Sequence, residues 1–203
     1  MSINVCNDRS MASITSLPSG VSGSSLVLLE TQTASSSGTI SFTSNIDSTY
    51  KEYIFKYINV HPATNNVDFQ FNMSADSGSN YNVTKTTTTF QAYLNEGDSA
   101  NGLAYGSSRD LAQSTDFQGI VIGVGNGNDE AASGYLHIFE PSSTTFVKHF
   151  ISGSNNYRAD NESQQHYTAG YGNTTSAVDA IQFKMSSGNI DAGTIKLYGI
   201  KDW

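Results

Sequence analysis

Between Asn66 and Met73 apolar and polar residues alternate without a break. Val67, Phe69, Phe71 and Met73 fall on one parity, and Asn66, Asp68, Gln70 and Asn72 on the other. Successive side chains of an extended strand point to opposite faces, so this period of two predicts a strand with one side on a core. A helix would instead need apolar residues three and four apart. The expectation is that the Val67 parity is buried and the Asn66 parity faces water, as in an antiparallel sheet solvated on one side.

Comparable signals recur along the chain. Leu26–Glu30 is a short apolar run, and Thr39–Thr43 alternates around Ile40 and Phe42. Tyr53–Val60 is apolar on both parities for much of its length and predicts a central strand covered on both sides. Pro62 closes it, because proline cannot donate to a ladder. Val83–Leu94 is threonine-rich and predicts an edge strand or an exposed sheet face. Gly119–Val124, Tyr135–Phe139, Phe146–Ile151, Gln165–Tyr171, Asp179–Met185 and Thr194–Ile200 complete a set of about ten strands. Residues 140–144 read as a hairpin connection, and Ser186–Asn189 as the turn into the last strand. Residues 95–117 break the alternation, and Ser108–Gln113 predicts a short helix capped by Ser107 or Ser108.

Many short strands with little helix predict an all-β, antiparallel β-sandwich, with a barrel as the related solution. The length of 203 residues suits one domain. Residues 1–24 are serine-rich, interrupted by Pro18 and Gly20, and lack periodicity, so they read as an N-terminal arm. Ile3, Val5, Met11, Ile14 and Leu17 are anchors by which such an arm would fasten to a neighbouring subunit. The sandwich domain is placed at 25–203.

Charged residues make up 14% of the chain, against about 25% in ordinary domains. Polarity comes from Ser, Thr, Asn and Gly. The formal charge of −8 argues against nucleic acid as a partner, since phosphate binding needs a basic surface. The single cysteine, Cys6, permits no intrachain disulfide. No apolar run reaches membrane-spanning length, and the first residues show no signal-peptide pattern, so assembly in a cytoplasm is expected.

A search for chemistry yields no catalytic, metal or cofactor residues. His61, His137, His149 and His166 lack zinc-site spacing, although His137 and His149 fall on neighbouring strands that could bring them face to face. Gly123–Asp129 contains one copy of a Gly-x-Gly-x-Asp pattern that calcium-binding rolls stack in several copies; a turn is the better reading. Carboxylates such as those in Arg158–Glu162 suit solvated loops more than a glycosidase pair. Four Asn-x-Ser/Thr sequons, at Asn72, Asn82, Asn161 and Asn173, are expected from composition alone. Tyr157, Tyr167 and Tyr171, set among polar residues, are the remaining hint of binding. Tyrosine with asparagine suits adaptable polar interfaces and stacking on sugars, while ordinary sheet packing is the plainer role.

The segment Ser187-Gly188-Asn189-Ile190-Asp191-Ala192-Gly193-Thr194-Ile195-Lys196-Leu197-Tyr198-Gly199-Ile200-Lys201 resembles a terminal strand pair of uncharacterised structural proteins of tailed, often marine, bacteriophages. Tyr50–Phe55 followed by the Val67–Met73 strand is similar to the body of that group, and the resemblance covers roughly residues 38–201. It implies a jelly-roll-like β-sandwich on a virion: a head decoration or cement protein, a head fibre, or alternatively a tail fibre or receptor- and carbohydrate-binding module. It also implies a homotrimer contacting other virion proteins through the arm, with a host-surface glycan as a further partner. It brings no enzyme signature.

Overall fold

The structure, a computed structural model, describes residues 25–201. The expected arm at 1–24 and Cys6 lie outside the described residues. Twelve strands make up the remainder: β1 (Leu26–Thr33), β2 (Ile40–Phe42), β3 (Glu52–Pro62), β4 (Val67–Ser74), β5 (Lys85–Asn95), β6 (Asn101–Tyr105), β7 (Gln118–Val124), β8 (Ala132–Phe139), β9 (Lys148–Arg158), β10 (Glu162–Gly172), β11 (Ala180–Met185) and β12 (Ile190–Ile200). Their pairings are antiparallel throughout, so the all-β antiparallel expectation holds.

Nine strands follow one path, β1-β12-β3-β8-β9-β7-β4-β11-β2. The path curls until its ends meet: Gln32 on β1 donates its side-chain amide to the Ser41 carbonyl on β2 at 2.7 Å. The result is a nearly closed, barrel-like sheet. Its thinnest seam is between β7 and β9, which share a single paired position, Val124 with Arg158. β10, β5 and β6 extend the sheet beyond this path, since β10 pairs with both β9 and β5, and β5 with β6.

The apolar parities meet inside. Phe42 on β2, Phe55 on β3, Phe69 on β4 and Phe183 on β11 are fully buried, and so is Phe71 on β4. Phe55 packs edge-on against Phe42 and Phe183 at 5.2 and 5.4 Å, while Phe69 stacks on Phe183 at 5.6 Å. Tyr57 meets Phe69 at 5.2 Å, and Phe71 meets Phe150 on β9 at 5.0 Å. Aromatic pairs at these separations add to the area they bury. A bulge bends β3 and β12 together: Asn59 takes a φ of 49° where the β3–β8 register shifts, and Gly193 takes 120° where β12 shifts against β3. A Cβ on Gly193 would stand 2.7 Å from the Asn59 carbonyl, so this position requires glycine.

Several expectations are revised. β3 lies inside the sheet, but Lys56 and Ile58 are exposed, so it is covered on one face only. The polar parity leading into and along β4 is only partly solvated: Asn66 is exposed and Gln70 half-buried, but Asp68 and Asn72 are buried, with Asn72 donating to the carbonyls of Tyr81 and Thr115. β5 is no edge, having β10 on one side and β6 on the other, but it does present an exposed sheet face through Thr88, Phe90, Ala92 and Leu94. No helix forms over Ser108–Gln113. That segment instead runs beside β5, which donates from Thr87 N to the Leu111 carbonyl and exchanges two backbone bonds between Lys85 and Ser114. Ser186–Asn189 does lead into the last strand, and there the chain crosses the sheet: β11 lies between β4 and β2, and β12 between β1 and β3.

The seam explains the polar composition of β9 and β10. Gly119 and Val121 of β7 pair with β4, which leaves the backbone groups of Ile120 and Ile122 directed at β9 and β10. Side chains meet them: Ser154 donates to the Ile120 carbonyl at 2.8 Å, Asn156 donates to the Ile122 carbonyl at 3.2 Å, and His166 Nε2 accepts from Ile122 N at 3.4 Å. Buried backbone groups must be paired, and here hydroxyl, amide and imidazole stand in for a neighbouring strand. Ser154→Ala would leave the Ile120 carbonyl dry and unpaired. The expected loss is about 1–3 kcal/mol, read from the urea midpoint.

Candidate binding face

Strand parity divides β9, β10 and β5 cleanly. The inward residues Lys148, Ser152, Ser154, Asn156, Gln164, His166, Thr168, Lys85, Thr87 and Thr89 are all buried. They form a polar layer behind the sheet, with hydrogen bonds that include Thr89 to Thr168 at 3.0 Å and Thr87 to Gln118 at 2.6 Å, while Asn156 Oδ1, Gln164 Oε1 and His166 Nδ1 find no partner among the described residues. Burial holds the Lys85 ammonium down to a pKa of about 7, where it donates to Asn72 Oδ1 and the Val83 carbonyl. Burial, reinforced by the positive charges of Arg158 and Arg109, lowers His166 to about 4, so its ring is neutral near pH 7.

The opposite parity makes the outer face, which runs across β8, β9, β10, β5 and β6. Register places its residues in rows. In the central row Tyr135 lies opposite Gly153, Gly153 opposite Tyr167, Tyr167 opposite Phe90, and Phe90 opposite Tyr105. The four aromatics are between 38% (Tyr167) and 56% (Tyr105) exposed, which is high for rings that have a core available. Tyr135 reaches over Gly153, where a Cβ would stand 3.0 Å from its Cε1 and its hydroxyl. The ring therefore fills the gap in the row that glycine leaves. Tyr167 and Phe90 stack at 5.1 Å with planes 23° apart. At the end of the row the Tyr105 hydroxyl donates to Asp110 at 2.7 Å, which raises its pKa.

On one side of this row lie Ser133, Asn155, Gln165, Ala92 and Leu103, and beyond them Tyr157, Ser163, Leu94 and Asn101. On the other lie His137, Ile151, Ala169 and Thr88. No Asp, Glu, Lys or Arg stands on the outward parity of these five strands. Two depressions flank the row. One, of about 510 Å³, has Ala169 and Gly170 beside Ile151, with Phe139, His149 and Tyr171 around them. The other, of about 360 Å³, lies among Leu94, Asn155, Tyr157 and Ser163, with Glu96 and Asp98 also lining it.

Tyr157, Tyr167 and Tyr171 thus share one face, as the binding reading of these residues requires. Sequence reasoning missed Tyr135, Phe90 and Tyr105. Parity alone would have grouped Phe90 with Ala92 and Leu94, but the surrounding threonines drew attention to the strand's polarity.

The other residues singled out from the sequence serve local structure. His137 pairs in register with Ile151, not His149, and its Nε2 lies 2.9 Å from Glu52; desolvation lowers its pKa. His149 meets the Tyr171 ring at 6.2 Å, and His61 Nε2 is 3.1 Å from the Gly127 carbonyl. Gly123–Asp129 turns out of β7, with the Glu130 carboxylate accepting from Gly127 N. Asp160 and Glu162 both pair with Arg158 in the β9–β10 turn, at 3.2 and 3.1 Å. Asn72, in the first sequon, is fully buried. Among the described residues no group of three or more His, Cys, Asp or Glu side chains is placed to hold a metal ion. Scanned against protein-family models, the chain matches none, and searches of curated proteins and of solved structures return no match.

Proposed function

We propose that this chain is a non-enzymatic structural module of a phage virion, exposed on the particle surface as a head decoration, cement or head-fibre protein. The observation that carries the reading is the pairing order. Eight strands divide into β1-β12-β3-β8 and β2-β11-β4-β7, and the chain passes between these sets in the sequence of a jelly roll. The aromatic contacts of β3 with β2, β4 and β11 then serve as the interior of a two-layer sandwich. Jelly rolls recur in viral capsid and lectin domains. On this reading the hairpins β5–β6 and β9–β10 are insertions that widen one layer. The resemblance of residues 187–201 to phage structural proteins agrees, and it carries the expectations of a homotrimer and of neighbouring virion proteins as partners. Mass spectrometry of purified particles of a phage encoding this chain is expected to find it in many copies. Its absence from them would end the reading.

A second reading, a tail-fibre or receptor-binding module, is favoured by the outer face itself. The two inserted hairpins expose aromatic side chains that the core leaves unused, and contiguous apolar patches of that kind mark interaction sites.

A further inference from the structure

We infer that the outer face binds an extended chain of neutral pyranose sugars, laid along the aromatic row and therefore across the strands. The inference deepens the receptor-binding reading and rests on it.

Charge selects the class of partner. The outward parity of β8, β9, β10, β5 and β6 holds no Asp, Glu, Lys or Arg. Nucleic acid, anionic lipid and acidic polysaccharide would find no opposite charge on it. A neutral glycan needs none. Its pyranose rings carry apolar C–H faces that rest on aromatic faces, and hydroxyls that need hydrogen-bonding neighbours beside them.

Geometry supplies both. Tyr135 lies against the sheet over Gly153 and leaves its other side to solvent. The Tyr135 ring lies over β9, one strand from Tyr167, so the two rings stand about one strand spacing apart, roughly 5 Å. Tyr167 and Phe90 repeat that spacing, with centroids 5.1 Å apart, and Tyr105 continues the track, so successive rings fall on successive sugars of an extended chain. Beside the row, the amides of Asn155 and Gln165 are held in place. Asn155 Nδ2 donates to Ser163 and to the Gln164 carbonyl, and Gln165 Nε2 donates to the Tyr167 hydroxyl. Their carbonyl oxygens are acceptors for sugar hydroxyls, and Thr88 offers a hydroxyl on the far side. The two flanking depressions leave space for branches.

The test is affinity electrophoresis of the full chain in native gels that contain neutral polysaccharides (β-glucan, xylan, galactomannan), with alginate as the anionic control. At least one neutral polysaccharide is expected to retard it, and alginate is not. Tyr135→Ala and Tyr167→Ala are each expected to weaken retardation about tenfold. Gly153→Val removes no aromatic ring but lifts Tyr135 off the sheet, and is expected to weaken retardation comparably. Oligosaccharides long enough to span the row compete, while free monosaccharides do not. Retardation by no neutral polysaccharide would overturn the inference, as would retardation unchanged in all three variants. Self-association that Tyr135→Ala abolishes, without sugar retention, would overturn it in favour of a second copy. Finding the chain in virions without glycan retention sinks this inference alone, whereas retention by a chain absent from virions sinks only the virion reading.

Discussion

Phe183→Ala is expected to cost about 3–5 kcal/mol of stability, among the largest losses a single truncation in this chain can produce. The ring is fully buried where four strands converge. From β11 it stacks on Phe69 of β4 and takes edge contacts from Phe55 of β3 and Phe42 of β2, the last at 6.2 Å. Each of those neighbours is fixed to a different strand, so the walls of the cavity cannot close together. Partial relaxation is what places a site at the costly end of the large-to-small range. Phe183→Leu, which keeps much of the volume, is expected to lose less than half as much. Guanidinium unfolding measures both, with an unchanged slope showing that the denatured state is not the cause. A loss below about 1 kcal/mol for the alanine variant would mean that these strands do not meet at this ring.

Acidification is expected to destabilise the protein in two steps. Lys85 has a folded pKa of about 7 against an ordinary 10.5, so between those values the unfolded chain binds more protons than the folded one. Stability therefore falls as pH drops from 10.5 to 7, and Lys85 adds nothing further below that. His166 repeats the pattern lower down, with about 4 against 6.5. Its contribution is fully present above pH 6.5 and is lost as pH falls toward 4, by at most roughly 3 kcal/mol. His137, also lowered by burial, adds to the second step with the same sign. The cause is burial of the ring, with the charges of Arg158 and Arg109 opposing a third positive charge; protonation would also take from Ile122 N the acceptor that the neutral ring supplies. His166→Gln retains an acceptor at this position and should flatten most of the lower step; Lys85→Met should flatten the upper one. Unfolding free energies measured from pH 4 to 10 report the slopes. Wild-type stability independent of pH between 4 and 6.5 would contradict the buried, neutral imidazole.

The strands were legible in the sequence because period two is a local signal. Val67–Met73, Ile181–Met185 and the apolar runs at Tyr53 and Gly119 all fall within observed strands. What each polar parity faces was not legible. Asp68 and Asn72 use the residue types of a wet surface, yet they are buried beneath the 106–117 segment, with Asp68 paired to Arg109 at 2.5 Å. The same holds for Ser154, Asn156 and His166, whose partners are backbone groups of a strand more than thirty residues away in sequence. Local pattern cannot distinguish a side chain satisfied by water from one satisfied by a distant strand edge. Nor does local pattern show that at Ser186–Asn189 the chain crosses from β11 to a different part of the sheet. β6 was missed because Asn101–Tyr105 is short and its strongest apolar residue, Leu103, is 75% exposed. As for the candidate face, three of its tyrosines were visible as a cluster, but the row itself exists only through the register of five strands.

An alanine scan along β10, followed by thermal unfolding, bears most directly on the division between the two sides of this sheet. Gln164, His166 and Thr168 are buried in the polar layer, whereas Gln165 and Tyr167 face outward. Tm is expected to alternate with sequence position, dropping by several degrees at each even residue and staying near wild type at Gln165 and Tyr167. A Tm that falls as far at Tyr167 as at His166 would show that the outer aromatics are structural and that the face is not free for a partner.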